Sequence, residues 1–236
     1  MPRPKVLIAI PCFNEGSNIG NLLTELKAAE FDPRFNVKHL VINDCSTDDS
    51  IDVIRKSNSQ AINLPFNYGI MQVFQLSIMI ADELDFDYLM IIDGDGQHPV
   101  SEIAKLLSVA DPATFVIGSR NFAKYPISKI RMKAILLIQF LLMKKLGMDF
   151  VDPTSGFRLI PKICFRPMTE LNYQTNFLED TVLILTSLNR SEISIVEVEV
   201  NMLTRNSGKS SSRGLQNFLN YISLICKLLL VKGKTR

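Results

Sequence analysis

Two aspartates, Asp93 and Asp95, directly follow an apolar run at residues 88–92, with Gly94 between them. Like charges this close repel each other, and burying them is costly unless a positive group is bound beside them. Carboxylates two residues apart on a loop can reach one divalent cation, and Mg²⁺ combines few carboxylates with waters and substrate phosphates. The glycine lets the chain turn and lets a phosphate approach. The stretch therefore predicts a metal and diphosphate site.

Gln97 and His98 follow the two acids and are near enough to join the metal or to contact the phosphates. The alternative interpretation is a turn with two solvated acids, since a bare pair of aspartates around one residue is a common pattern. The position of the pair after a strand in an alternating α/β pattern favours the metal site.

The first half of the chain alternates strand-like and helix-like segments. Apolar runs predict strands at 5–11, 39–46, 60–64, 87–93 and 114–120. Helices are predicted between them, beginning near Ser17, Ser46, Gly69 and Pro99. Ser17 is also predicted to cap the first of these helices. Continuous apolar strands separated by helices predict an α/β fold whose mostly parallel central sheet is covered by helices on both faces.

Polar residues follow four of the predicted strands, which places them at the carboxyl edge where such sheets bind ligands. They are Asn14 and Glu15, Asn43 and Asp44, Asp93 to Gln97, and Ser119 and Arg120. An acid in the position of Asp44 often holds the ribose or base of a nucleotide. A helix cap or a local turn is the alternative role for Asp44.

Composition limits the classes of protein that the chain can represent. Its 236 residues, 47% of them hydrophobic, suit one domain and exclude global disorder. A net charge of only +2 excludes a strongly basic nucleic-acid binder. The longest apolar run, at 134–143, is too short to span a membrane. The four cysteines form no CxxC pair and no secretory signal is evident, so we expect no zinc site and a reducing cytoplasm.

The order of the motifs resembles the family 2 inverting glycosyltransferases, in particular the branch of polyprenyl-phosphate mannosyl- and glucosyltransferases. The resemblance covers nearly the whole chain, and its last two motifs are the most specific. The motifs are PCFNE at 11–15, INDCSTDDS at 42–50, DGDGQHP at 93–99, GSR at 118–120, DPTSGFR at 152–158 and RNSGKSS at 205–211.

The resemblance implies a GT-A fold over residues 1–214, followed by a basic amphipathic helix or tail at 215–236. It also implies a nucleotide-diphospho-sugar donor, a UDP- or GDP-sugar, with Mg²⁺ or Mn²⁺. The metal ligands would be Asp93, Asp95 and Gln97. The residues implied around the donor are Pro11, Cys12, Asn14, Glu15, Asp44, Gly69, Asp93, Gly94, Arg120, Arg205 and Lys209. The implied catalytic residues are Asp95, Arg120 and the acidic pair Glu179 and Asp180.

The second motif departs from the family pattern. Asn43 stands where the family usually has aspartate, and Cys45 stands where it usually has glycine. These changes leave the metal site intact and leave the base specificity open. The role of Glu179 and Asp180 depends on the acceptor, because a hydroxyl acceptor needs a general base and a phosphate acceptor needs little help. The pair is interpreted as a base, an acceptor-positioning group or an exposed pair at a helix start.

Two apolar segments with basic flanks, at 127–146 and 215–231, bear on the acceptor. They are interpreted either as helices that lie on an anionic membrane surface or as ordinary packing helices. The resemblance implies a polyprenyl-phosphate or lipid-linked acceptor at the cytoplasmic face of a membrane, in cell-surface glycan synthesis. Many members of the resembled family self-associate, and the sequence leaves open whether this chain is a homo-oligomer. The alternatives are a sugar-phosphate nucleotidyltransferase and a non-catalytic nucleotide-sugar-binding protein.

Overall fold

The computed structural model describes residues 2–124, 127–147, 149–171 and 193–204. Within them the chain forms one seven-stranded sheet with helices on both faces. The strands are β1 (Lys5–Cys12), β2 (Asn36–Asn43), β3 (Ala61–Asn63), β4 (Tyr88–Ile91), β5 (Thr114–Arg120), β6 (Arg158–Pro161) and β7 (Ser194–Val200). The α-helices are α1 (Gly16–Ala28), α2 (Ser50–Lys56), α3 (Ile70–Glu83), α4 (Ile103–Ser108), α5 (Lys129–Leu146) and α6 (Phe165–Thr169). Short 3₁₀ turns precede α4 and α6, at Val100–Glu102 and Lys162–Cys164.

The strand order is β3-β2-β1-β4-β6-β5-β7. Strand β1 pairs in parallel with β2 and β4, and β5 pairs in parallel with β7. Strand β6 lies antiparallel between β4 and β5. All strands except β6 therefore end at the same edge of the sheet, and β6 begins there. The prediction of a mostly parallel α/β sheet is confirmed.

Alternation along β1 distributes its side chains between two cores. Val6, Ile8 and Ile10 face a core formed with α1 and α4, whereas Leu7 and Ala9 face a core formed with α3, α5 and α6. Because both faces of the strand are buried, nearly every residue of β1 is apolar. The helices on either face hold the strand ends in fixed positions at the carboxyl edge.

Two details of the sequence prediction are wrong. Helix α1 begins at Gly16 with Glu15 at its N-cap position, so Ser17 lies inside the helix and is not its cap. Helix α2 begins at Ser50 rather than near Ser46, because the segment before it binds the loop after β1. The sequence prediction does not include strands β6 and β7, which both follow residue 120.

Helix α5 is apolar on two opposite sides. Ile135, Ile138, Leu141 and Leu142 are buried in the core of the domain. A second group of large apolar residues on this helix is exposed, namely Ile130, Leu136, Leu137, Phe140 and Met143. Of the helices in the described ranges, none is both long and apolar enough to cross a membrane.

The central position of β1 gives a stability prediction. Ile8 is fully buried, so Ile8→Ala should lower the free energy of unfolding by about 2–5 kcal/mol through lost burial and a cavity. Ile163→Ala is the matched control, because that isoleucine is 56% exposed, and its effect should stay within about 0.5 kcal/mol. Urea denaturation of both variants measures this, and equal losses would contradict the described core.

Candidate functional site

The loop after β4 carries Asp93 and Asp95 at the carboxyl edge of the sheet. Asp93 remains 40% exposed at its side chain, and Asp95 is half-buried. One oxygen of the Asp95 carboxylate accepts the Gln97 backbone N–H at 3.0 Å. The backbone N–H of Asp93 donates to Nδ1 of His98 at 3.0 Å. The loop is therefore a hydrogen-bonded turn that presents two carboxylates at the sheet edge.

Gly94 brings this turn against the end of β1. Its N–H donates to the Pro11 carbonyl at 3.2 Å. A Cβ at this position would lie 3.0 Å from the same carbonyl oxygen and 3.7 Å from Cα of Cys12. Close packing against backbone therefore requires glycine here. The first and third motifs are in direct contact.

The loop after β1 is bound to the segment between β2 and α2 and to the first residue of α2. The N–H groups of Asn14, Glu15 and Gly16 donate to Ser46 Oγ, Ser50 Oγ and Asp48 Oδ2 at 3.0, 2.9 and 3.0 Å. These bonds satisfy N–H groups at the start of α1 without a cap from its own sequence. The Asn14 side chain in turn accepts the Thr47 N–H at 2.7 Å.

Asp44 is buried and holds the start of α3. Its two carboxylate oxygens accept the N–H groups of Tyr68 and Gly69, each at 2.8 Å. Gly69 has φ 89° and ψ 161°, a backbone conformation that is essentially restricted to glycine. Cys45 also lies in the left-handed region, at φ 59°. Glycine adopts this conformation without strain, whereas in this chain a cysteine occupies it.

Arg120, at the end of β5, is buried and paired with an acid. Its Nε and Nη2 donate to the two carboxylate oxygens of Asp152 at 2.5 and 2.8 Å, and Nη2 also donates to Thr154 Oγ1 at 2.9 Å. The backbone N–H groups of Val151 and Asp152 donate to the Glu197 carboxylate on β7, both at 2.6 Å. The DPTSGFR motif is therefore fixed to β5 and β7.

Sequence reasoning did not single out Asp152, Glu197 or Phe157 as individual residues. The DPTSGFR motif signalled that the segment matters, but it did not say that Asp152 would bind Arg120. Glu197 gives no signal in the sequence, because acids that alternate with apolar residues, as Glu197 and Glu199 do in β7, are an ordinary surface pattern. Burial raises the pKa of its carboxyl group.

Cys12 is buried at the end of β1, and burial raises the pKa of its thiol to about 11. It is therefore a neutral thiol at physiological pH and not a nucleophile. The structure brings Pro11, Cys12, Asn14, Glu15, Asp44, Gly69, Asp93, Gly94, Asp95, Gln97 and Arg120 to the loops at one edge of the sheet. The predicted residues Glu179, Asp180, Arg205 and Lys209 lie outside the described residues, as does the segment 215–236.

The acidic loop fits a divalent cation that shares its ligands with a substrate. Among the described residues, no group of three or more His, Cys, Asp or Glu side chains could hold a metal ion. Asp93 and Asp95 provide two carboxylates at an accessible edge, and Mg²⁺ habitually completes such a set with waters and phosphate oxygens. The donors present suit a metal that arrives with a diphosphate, not a closed structural site.

A family model for glycosyl transferase family 2 matches residues 7–166. An undecaprenyl-phosphate 4-deoxy-4-formamido-L-arabinose transferase of Photorhabdus laumondii is 25% identical over 233 residues, which are 95% of this chain and 67% of the relative. The chain spans 61% of the relative of the same name from Serratia proteamaculans. A UDP-N-acetylglucosamine–dolichyl-phosphate N-acetylglucosaminyltransferase of Methanococcus voltae is 25% identical, with 97% of each chain covered.

Solved structures share the fold. The glucosyl-3-phosphoglycerate synthase of Mycobacterium tuberculosis, crystallised with Mn²⁺, UDP and phosphoglyceric acid, has a TM-score of 0.70 at 17% identity, covering 96% of this chain and 78% of that one. The mannosyl-3-phosphoglycerate synthase of Rubrobacter xylanophilus has a TM-score of 0.68 at 14% identity, covering 96% and 73%. At these identities the likeness is one of fold, and it confirms the predicted GT-A arrangement.

The buried pair Arg120–Asp152 gives a test of the site's architecture. Asp152→Ala leaves the guanidinium buried without its partner, so it should cost about 3–5 kcal/mol of unfolding free energy. The double variant Arg120→Met with Asp152→Leu removes both charges and should recover much of that loss. Denaturant melts of the single and double variants check this. A double variant that is less stable than Asp152→Ala would contradict the interpretation.

Proposed function

Because this chain belongs to glycosyl transferase family 2, we propose that it transfers one sugar from a nucleotide-diphospho-sugar to a polyprenyl phosphate or lipid-linked acceptor. The reaction inverts the anomeric carbon and uses Mg²⁺ or Mn²⁺. The printed names of two relatives, an undecaprenyl-phosphate and a dolichyl-phosphate sugar transferase, support this acceptor class.

One observation carries the proposal. The turn with Asp93 and Asp95 packs through Gly94 on the backbone of Pro11, at the end of the strand that leads into PCFNE. A diphosphate at the acidic turn would therefore place its nucleoside over the loops that follow β1 and β2. Ligands of this shape bind at the carboxyl ends of strands in such sheets.

We assign the metal to Asp93, Asp95 and Gln97. A bound divalent cation would stabilise the negative charge that develops on the leaving diphosphate. The side chains of the loop would hold it at the sheet edge, and Gly94 keeps the turn packed against Pro11. The hydrogen bond from Gln97 N–H to Asp95 orients one carboxylate before any ligand arrives.

The donor nucleoside is assigned to Pro11, Cys12, Asn14, Glu15 and the Asp44 loop. Asp44 fixes the backbone beside this site by accepting the N–H groups of residues 68 and 69. Each carboxylate oxygen has more than one lone pair, so Asp44 retains capacity to accept a nucleoside N–H or O–H.

Positive charge near the diphosphate is assigned to three residues. Arg120 is held by Asp152, which fixes its guanidinium close to the carboxyl edge. Arg205 and Lys209 belong to the motif that would close over the diphosphate or the acceptor phosphate. With a phosphate acceptor, Glu179 and Asp180 position that acceptor. With a hydroxyl acceptor, one of them serves as the general base.

The exposed apolar side of α5 supports a peripheral position on a membrane surface, and we propose that this surface is the cytoplasmic face. This α5 apolar face consists of Ile130, Leu136, Leu137, Phe140 and Met143. Helical spacing places Lys129, Lys133 and Lys144 on the same side, and Nζ of Lys144 lies 5.7 Å from the ring centre of Phe140. Apolar side chains interspersed with lysines suit an anionic lipid surface. A second copy of the chain is the alternative occupant.

Removal of the Asp95 charge tests the enzymatic proposal. Asp95→Asn keeps an oxygen that can accept the Gln97 N–H, so the fold should be unchanged. Transfer and metal-dependent donor hydrolysis should fall by about a thousandfold or more, since a metal ligand contributes several kcal/mol of charge stabilisation. Asp95→Ala should behave alike. Asp82→Asn, an exposed acid on α3, is the matched control. Full activity in folded Asp95→Asn would refute the assignment.

Charge placed on the α5 apolar face tests the membrane proposal. Leu136 and Phe140 are 53% and 57% exposed, so replacing both with Glu should leave the fold intact. Binding to phosphatidylcholine vesicles containing phosphatidylglycerol should fall about tenfold or more, because burial of a large apolar side chain contributes about 1.5–3 kcal/mol.

Met79→Glu with Leu84→Glu, two exposed residues associated with α3, is the matched control for added charge. Vesicle flotation compares the two double variants, and equal binding by both would exclude the α5 apolar face. Sedimentation of the same samples without lipid would reveal self-association through this face.

A further inference from the structure

His98 is the most buried polar side chain of the acidic loop. It is 4% exposed, whereas Asp93, Asp95 and Gln97 beside it are half-buried. A histidine that binds a substrate or a shared metal would present a nitrogen toward the open edge. His98 is instead enclosed by the protein, and its contacts are with other residues of the chain.

The ring of His98 accepts a backbone hydrogen bond. The Asp93 N–H donates to its Nδ1 at 3.0 Å, which bridges residues 93 and 98 across the turn. A neutral imidazole has one unprotonated nitrogen, and here that nitrogen is Nδ1. Nε2 then carries the proton and lies 3.9 Å from Oδ2 of Asp93. No lone pair of the ring remains for a metal ion.

The hydrogen bond at Nδ1 requires the neutral form of the ring. An imidazolium would donate from both nitrogens and would lose the bond from the Asp93 N–H.

A second motif supports the ring from its other side. His98 stacks on Phe157, with ring centroids 5.0 Å apart and planes inclined by 18°. Phe157 is itself fixed, because its carbonyl accepts the Gly118 N–H at 2.7 Å. A Cβ at Gly118 would lie 3.0 Å from the Phe157 ring, so this glycine makes room for the aromatic side chain.

We propose that His98 is a positioning residue, which sets the backbone at Asp93 through Nδ1 and is itself held by the Phe157 ring. It contacts neither the metal nor the sugar. This role rests on the proposed function of Asp93 as a metal ligand. It links the DGDGQHP motif to the DPTSGFR motif by a physical contact. Residues that orient a metal ligand without touching the metal commonly change metal affinity about 10–100-fold when replaced.

Two variants distinguish the effect of losing the hydrogen bond from the effect of losing the aromatic ring. His98→Asn carries an amide oxygen at about the reach of Nδ1, whereas the longer side chain of His98→Gln carries its oxygen at about the reach of Nε2. Both lose the stacking equally, so a difference between them reports the position of the acceptor. The first measurement is hydrogen exchange of the Asp93 amide by NMR, in protein free of metal and nucleotide.

Exchange at Asp93 should be about tenfold or more faster in His98→Gln than in His98→Asn, since one hydrogen bond is lost. Mn²⁺ affinity, measured by electron paramagnetic resonance with UDP or GDP present, should fall about 10–100-fold in His98→Gln and much less in His98→Asn. Circular dichroism melts should differ by only about 2–4 °C, because both variants lose the ring contact and differ by one hydrogen bond.

Equal exchange rates at Asp93 in the two variants would overturn the proposal. Loss of Mn²⁺ affinity in both variants with the Asp93 amide still protected would instead make His98 a direct metal ligand. The exchange measurement needs neither metal nor donor, so it stands even if Asp95→Asn retains transfer activity and the proposed function fails.

Phe157→Leu separately tests the stacking contact between His98 and Phe157. It keeps His98 and an apolar side chain but removes the flat face, so the Asp93 amide should exchange several times faster than in the unsubstituted protein. Exchange at the unsubstituted rate would exclude Phe157 from the positioning role.

Discussion

Two acidic side chains separated by one glycine repel each other, and the surrounding structure is arranged around that constraint. Asp93 and Asp95 cannot be buried together without a compensating charge, so they lie at the open edge of the sheet. The turn that carries them is nevertheless rigidly held. Gly94 packs on Pro11, Gln97 donates to Asp95, and His98 accepts from Asp93. The acids remain accessible while their backbone is fixed, which is the arrangement that a metal shared with a substrate requires.

The loops around this turn are fixed mainly by side chains that bind backbone groups. Asp44 binds the start of α3, Ser46 binds the loop after β1, and Glu197 binds the loop before β6. Each acceptor comes from a different strand end or loop than the amide it satisfies. Buried backbone N–H groups need partners, so these residues make the loop positions depend on one another. Such preorganisation lets a site bind a charged donor without first ordering its own loops.

The sequence predicts the parallel strands of the sheet well, but it does not predict β6, the antiparallel strand between β4 and β5. Strand β5 is recovered at Thr114–Arg120, because an apolar run there is bounded by polar residues. Strand β6 has only four residues and begins with a buried arginine. Its pairing with β4 and β5 is determined by tertiary packing. No local pattern carries that information. Likewise, Ser17 has the residue type of a helix cap, but the side chains of Asp48 and Ser50, at the start of α2, satisfy the start of α1 instead.

In the candidate site, too, the sequence predicts some features and not others. Strand-end position alone predicts that Asp44, Asp93 and Arg120 share one edge, because parallel strands must end together. It does not predict that Asp44 binds backbone amides or that Arg120 binds Asp152, since those partners are distant in sequence. His98 stands within a recognised motif, yet only the structure reveals its inward orientation on Phe157.

One measurement tests the central claim most directly. The protein would be incubated with Mn²⁺, a short polyprenyl phosphate and, in turn, UDP-, GDP- and dTDP-sugars, and the products identified by mass spectrometry with and without EDTA. Our account predicts a polyprenyl-phosphate sugar and a nucleoside diphosphate from at least one donor, with inverted anomeric configuration, and no product in EDTA. Transfer that persists undiminished in EDTA, or diphosphate release from a nucleoside triphosphate and a sugar phosphate instead, would contradict it.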